Sequence, residues 1–204
     1  MMATTLKITD EDFQDAVDIA SVLMKSEGVV AYPTDTVYGI GGDATSEEAV
    51  RKVHAIKESD PEKPISIMVA DFGVVEYYCD TGLWEDMILS RYLPGPYTFI
   101  LKKKRPLPAS KSEKIGVRMP YSRFCQGLCK RFGRPILTTS ANPTGKEPPV
   151  RFEQVDTDIL EQTDLAIDGG PTRYLSHSMV IDLVERKLIR KGGEKIDLVE
   201  FPER

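Results

Sequence analysis

The sequence predicts a single α/β domain: an open, twisted, mixed β-sheet flanked by helices. Three observations predict it. Amphipathic helical segments alternate with short runs rich in β-branched and aromatic residues, the pattern of layered α/β folds. Near the C-terminus three strand-like runs, DLAIDGG, SMVIDLV and KLIRKG, follow one another without helices between them, which makes the sheet mixed. Finally, 204 residues with 41% apolar and 29% charged content suit one core that needs no staples. No repeat, low-complexity tract or linker divides the chain, so residues 1–204 read as one domain.

Thr9 opens T-x-x-D, a capping-box variant, ahead of DFQDAVDIASVLMKSEG. Phe13, Val17, Ala20 and Met24 share one helical face, and Gly28 stops the helix. VVAYP is a short buried strand. TDTVYGIGGDA reads as a loop whose glycines let backbone approach a ligand closely. Thr45 or Ser46 caps a second helix, SEEAVRKVHAIK. A polar segment, Glu58–Lys63, leads to the strand PISIMVA.

LWEDMILSRYL is an amphipathic helix broken by Pro94-Gly95-Pro96. YTFILKK and IGVRMP are strands, separated by KKKRPLPASKSEK, which reads as a basic, flexible loop. SRFCQGLCKRFG is a helix with Gly133 as its stop. PILTTSAN is a strand running into a polar turn, TGKEPPVR is a loop, and FEQVDTDILEQT is a helix.

Formal charge is −5, so no global basic field attracts nucleic acid or an anionic membrane, and RNA contact needs a local patch. Cys79, Cys125 and Cys129 make no disulfide framework. His54 and His177 give no metal-ligand spacing with them, so no metal site is expected, and free thiols suggest a reducing compartment. The N-terminal residues lack a signal-peptide apolar stretch, and no window approaches a membrane span. These features predict a cytoplasmic protein.

Five polar constellations fall at strand ends, where open α/β sheets bind ligands. They are Thr34, Asp35, Thr36 and Tyr38; Lys57, Ser59 and Lys63; Arg118; Thr138, Thr139, Ser140 and Asn142; and Ser178 with Arg190. They offer hydroxyls, an amide and cations, but no Cys–His pair and no Ser–His–Asp set. Gly39-Ile40-Gly41-Gly42 lacks the P-loop lysine. The chemistry indicated is binding and electrostatic stabilisation of anions rather than covalent catalysis.

YPTDTVYGIG, LPGPYTFIL, VRMP, TTSAN, DGG with S-x-x-I-D, and LIRKG occur in the order seen in the YrdC/YciO family, from about Val29 to Gly193. The chain resembles that family over nearly its whole length. The resemblance implies a YrdC/RibB-like fold with a positively charged concave surface. It implies threonylcarbamoyl-adenylate synthase activity, with ATP, L-threonine and bicarbonate as substrates and Mg²⁺ accompanying ATP. It further implies a separate transferase complex that moves the group to tRNA, and leaves direct contact with tRNA or double-stranded RNA open.

Carried over by position, Thr36, Arg118, Thr138 and Ser178 resemble threonine contacts. Lys63, Lys114, Ser140 and Arg190 resemble ATP contacts, Lys114 replacing a small hydroxyl residue. Lys57 and Ser140/Asn142 match the Lys-x-Arg and Ser-x-Asn signature, to which the resemblance assigns catalysis. Ser59, on the ATP side, stands in place of the signature arginine, and Met68 stands where relatives often have histidine. Serine cannot supply the bidentate cationic fork of arginine. A YciO-like RNA-binding or nucleotide-binding protein with weak or no synthase activity is the alternative, and Lys102, Lys103, Lys104, Arg105, Lys111 and Lys114 form the local basic stretch it would use.

Overall fold

The computed structural model describes residues 4–193; residues 1–3 and 194–204 of the expected single domain lie outside the described residues. Its strands are β1 (Thr4–Lys7), β2 (Val30–Pro33), β3 (Tyr38–Gly41), β4 (Ser66–Met68), β5 (Cys79–Asp80), β6 (Tyr97–Lys103), β7 (Lys114–Arg118), β8 (Ile136–Ser140), β9 (Leu165–Asp168), β10 (Met179–Asp182) and β11 (Lys187–Arg190). The helices are α1 (Phe13–Lys25), α2 (Glu47–Ile56), α3 (Phe72–Tyr78), α4 (Leu83–Tyr92), α5 (Arg123–Phe132) and α6 (Thr157–Gln162). The strands form one mixed sheet in the order β1-β9-β2-β3-β8-β4-β7-β6-β10-β11, with β5 paired to β6. Four neighbouring pairs are parallel (β1–β9, β2–β9, β4–β7, β6–β10) and the others antiparallel, so the sheet is mixed.

Local signals place the helix ends. Ser46 caps α2 by accepting from the Ala49 N–H, and Ser122 caps α5 by accepting from Cys125. Gly133 ends α5 in the left-handed region, at φ 76°, where a side chain is disfavoured. Thr9 does not cap α1 itself: its hydroxyl accepts from the Asp12 N–H and closes the turn before the helix.

Several expectations are corrected. YGIG is not a loop but strand β3, paired with both β2 and β8. Its glycines admit neighbouring backbone: a Cβ at Gly41 would lie 1.8 Å from the Leu137 carbonyl oxygen. FEQVDTDILEQT is split into a 3-10 turn, Phe152–Gln154, and α6. The basic stretch after β6 is a packed connection, with Leu107, Ala109 and Ser110 buried. Strands β1 and β5 and helix α3 had no clear signal in the sequence.

Because strand side chains alternate between faces, each strand contributes to two layers. Helices α2, α3 and α4 cover one face, packing Val53, Val75 and Leu89 near Ile40, Ile67, Phe99 and Val117. On the other face α1 and α5 cover only part of the sheet, packing Met24, Phe124 and Leu128 against Tyr32, Met68 and Ile136. The remainder of that second face is lined by polar and small side chains, and it forms the floor of the site.

Candidate active site

Two-residue alternation explains how distant segments converge here. Ser66 follows the face of Met68, and Thr138 and Ser140 follow that of Ile136. From β7 come Lys114, Gly116 and Arg118; from β6, Thr98 and Ile100; from β10, Val180 and Asp182. Register ties them together: Ser66 pairs with Thr138, Ile100 with Gly116, Thr98 with Val180, and Asp182 with Ile100. These residues, with Ser178 and Arg190, line a cavity of about 370 Å³. Gly116 keeps its floor low, since a Cβ there would meet the Ser66 hydroxyl oxygen at 2.4 Å.

At one end Arg118 donates from one terminal nitrogen to Asp35 Oδ1 (2.9 Å) and to the Thr36 hydroxyl (2.8 Å). Asp35 is fully buried and also accepts from the Tyr121 N–H at 2.9 Å. Burial pushes the Asp35 carboxyl above the usual carboxylate range, opposed by Arg118 and by that N–H. Arg118 Nε is buried with no hydrogen-bond partner. A guanidinium with an unpaired buried donor, at the edge of a cavity it lines, is suited to a carboxylate.

Arg190 donates to the Ser178 carbonyl and hydroxyl at 3.0 Å, and that hydroxyl lies 2.9 Å from Thr98 Oγ1. Burial and then nearby Arg118 lower the Arg190 pKa. Lys114 is held at the cavity edge by Asp182 (3.1 Å) and Glu185 (2.7 Å).

Of the residues singled out in the sequence, Arg118, Thr138, Ser140, Ser178, Arg190 and Lys114 line the cavity together, with Thr34 and Thr139 beside them. Thr36 sits behind Arg118 and is fully buried. Lys57 sits behind Ser140: its ammonium donates to the carbonyls of Ser140 (2.5 Å) and Asn142 (2.6 Å), so it braces the Ser-x-Asn turn from beneath. Burial, then Lys63, bring its pKa down to about 8. The Asn142 amide donates to the carbonyls of Pro143 and Lys146, leaving its buried Oδ1 without a partner. Lys63 is exposed outside the cavity lining, and Ser59 is bonded to His54 Nδ1 at 2.9 Å rather than lining it. Met68, where relatives often have histidine, is buried under α1 and α5.

The Sua5/YciO/YrdC family model, described as telomere recombination, matches residues 22–192. The chain belongs to the Sua5/YciO/YrdC family. A protein of Methanocaldococcus jannaschii is 34% identical, over 90% of this chain and 87% of its own length. The Pyrococcus abyssi threonylcarbamoyl-AMP synthase is 34% identical over 89% of this chain but 55% of its own. The solved structure of P. abyssi Sua5 complexed with L-threonine superposes with a TM-score of 0.84 at 31% identity, covering 94% of this chain and 58% of that one. Escherichia coli YciO superposes with a TM-score of 0.85 at 27% identity, covering 98% of this chain and all of that one. This family member thus spans little more than half of the P. abyssi protein.

Four residues of this site were given no specific role by the sequence. Asp35, the buried partner of Arg118, was singled out only as a strand-end polar residue, because its role depends on a non-local contact. Thr98 and Asp182 lie inside LPGPYTFIL and S-x-x-I-D, but only strand register brings them into one cavity. His177 lines the cavity beside Ser178 without any motif spacing to mark it. Among the described residues no group of three or more His, Cys, Asp or Glu side chains could hold a metal. Asp182, the carboxylate in the lining, is already paired with Lys114. No described helix is long and apolar enough to cross a membrane.

Proposed function

We propose that this chain is a threonylcarbamoyl-AMP synthase, a nucleotidyltransferase that forms threonylcarbamoyl-AMP and pyrophosphate from ATP, L-threonine and bicarbonate. The observation that carries the proposal is the cavity's polarity. Two guanidiniums, Arg118 and Arg190, share its walls, while the Arg118 partner Asp35 lies behind the wall. Its interior therefore favours anions, and all three substrates carry one. The synthase relatives and the threonine-bound P. abyssi structure support the same reading.

In this scheme the buried Arg118 face holds the threonine carboxylate, and Thr138 and Ser178 supply a small, mixed pocket for its side chain. Bicarbonate carboxylates the amine. An oxygen of the new carboxylate attacks the α-phosphorus of ATP; that P–O bond forms as the bond to pyrophosphate breaks. No protein nucleophile is used. The chain's contribution is to hold the reactants in line and to meet charge on the phosphate oxygens with Arg190, Lys114 and the Ser140 turn braced by Lys57. The donor set does not fit a protein-held metal, so Mg²⁺ is assigned to the substrate as MgATP. The product is passed to a separate transferase acting on tRNA.

The test is pyrophosphate release by the full chain with each substrate omitted in turn. Release that requires threonine and bicarbonate together is expected; ATP turnover indifferent to either one defeats the proposal.

One observation favours the YciO-like alternative: Ser59 replaces the signature arginine and is tied to His54. Nucleotide binding without threonine-dependent turnover would support it. Its RNA-binding form draws less on the surface, because the basic stretch is largely engaged. Lys103 bonds the Ser110 carbonyl, Arg105 bonds the Tyr77 carbonyl and stacks on its ring, and Lys111 pairs with Glu62.

A further inference from the structure

We infer that the imidazole of His177 is the proton acceptor for the threonine ammonium in the carboxylation step, a role resting on the synthase reading above. An ammonium cannot attack bicarbonate, since its nitrogen has no free lone pair. One proton must leave first. Among the residues lining the cavity, His177 is the side chain able to take it near neutral pH. Lys114 is a bound cation, Asp182 is engaged by it, and the remaining polar side chains are hydroxyls or guanidiniums.

The backbone that carries His177 is held on both sides. Ser178, the next residue, is held by Arg190 at 3.0 Å and by Thr98 at 2.9 Å. The Gly192 backbone packs so closely on this segment that a Cβ there would lie 3.0 Å from the His177 carbonyl oxygen and 2.6 Å from Met179 N. His177 lines the cavity, and its ring makes no hydrogen bond among the described residues, so neither nitrogen is engaged by another described side chain or backbone group.

The charges around it favour the neutral base. Arg190 from β11 and Arg118 from β7 face the same cavity; Glu147, on the connection after β8, acts in the opposite sense. Burial, followed by Arg190, lowers the His177 pKa below its ordinary 6.5, against the pull of Glu147. Lys114 and Asp182 lie in the same lining as a neutralised pair. The guanidiniums also disfavour a substrate ammonium and so ease its deprotonation. The balance is complete: threonine ammonium, bicarbonate and neutral imidazole give the N-carboxylate, water and imidazolium. The N–C bond forms, the C–OH bond breaks, and imidazolium returns its proton to solvent.

The experiment is the pH dependence of pyrophosphate release for wild type and His177→Gln, with threonine binding measured separately by calorimetry without ATP. Wild type is expected to lose rate as the pH falls through a value below 6.5. The variant is expected to lose about 10²–10⁴-fold in turnover near pH 7. It should bind threonine within about twofold of wild type, and its deficit should shrink as rising pH deprotonates the amine unaided. A variant with wild-type turnover, or with the same deficit at every pH, overturns the inference. A wild-type profile lacking the acid limb overturns it independently of whether the variant folds. Failure of the synthase reading is separately visible, because wild type would then release no pyrophosphate, or release it without threonine and bicarbonate.

Discussion

Arg118 and Asp35 meet at 2.9 Å, with the carboxylate wholly buried and its second oxygen held by the Tyr121 N–H. The pair locks the guanidinium in one orientation. One terminal nitrogen is spent on Asp35 and Thr36, and Nε is left buried without a partner. Two separable effects of mutation follow, one on the ligand and one on the fold.

Arg118→Ala should weaken threonine binding by about ten- to a hundredfold, the worth of a charge-assisted hydrogen bond, and change ATP binding far less. Calorimetry with each ligand decides it. The same change strands a buried charge on Asp35, so it should cost about 3–5 kcal/mol of stability. Adding Asp35→Asn should recover part of that loss in urea denaturation while leaving threonine binding weak. Recovery of threonine binding would remove Arg118 from the site.

Lys57 gives a pH prediction whose two signs differ. Its ammonium braces the carbonyls of Ser140 and Asn142, and its folded pKa is about 8 against an ordinary 10.5. Turnover should therefore fall as pH rises through about 8, as the charged brace is lost. Stability moves the other way. Between about 8 and 10.5 the unfolded chain binds more protons than the folded one at this residue, so its contribution to stability rises with pH. Lys57→Arg should shift the alkaline limb of turnover upward if it folds with the turn intact. A limb that stays in place in the folded variant assigns it to another group.

Ser59 separates a local bond from a phosphate contact. Its hydroxyl is on His54, so Ser59→Ala should leave the KM for ATP within about twofold and cost about 0.5–1.5 kcal/mol of stability, the worth of one hydrogen bond. Ser59→Arg adds a long cation to the loop carrying Lys57 and Lys63. Any gain should appear in ATP binding and not in threonine affinity. A marked loss of ATP affinity in Ser59→Ala would place the hydroxyl on the nucleotide after all.

Gly41→Ala tests the corrected role of the glycine-rich segment. A Cβ there would lie 1.8 Å from the Leu137 carbonyl oxygen and 2.7 Å from the Tyr32 hydroxyl, so β3 and β8 would have to separate. Overpacking on this scale should cost at least about 1–3 kcal/mol, seen as a lower urea midpoint. A loop glycine serving a ligand would instead lose binding at unchanged stability.

Short-range physics made much of this protein legible in its sequence. Ser46, Ser122 and Gly133 mark helix ends because a cap is a contact between residues three or four apart. The strands β6, β7 and β8 announce themselves by side-chain type, and position at strand ends already placed Arg118, Thr138 and Ser140 among the polar candidates. What the tertiary structure decided depends on partners far away in the chain. YGIG looks like a loop because glycine has no strand preference of its own; it is a strand because β2 and β8 close on it from both sides. Lys57 stood out only as part of a signature assigned to catalysis; that it braces the turn of its signature partners was not legible, since the carbonyls it holds lie more than eighty residues away. Asp35 became the anchor of Arg118, and His177 entered the cavity, through packing that no spacing encodes. Sequence fixes torsional preference and side-chain chemistry residue by residue; which buried charge faces which is set only when the sheet brings distant strands into register.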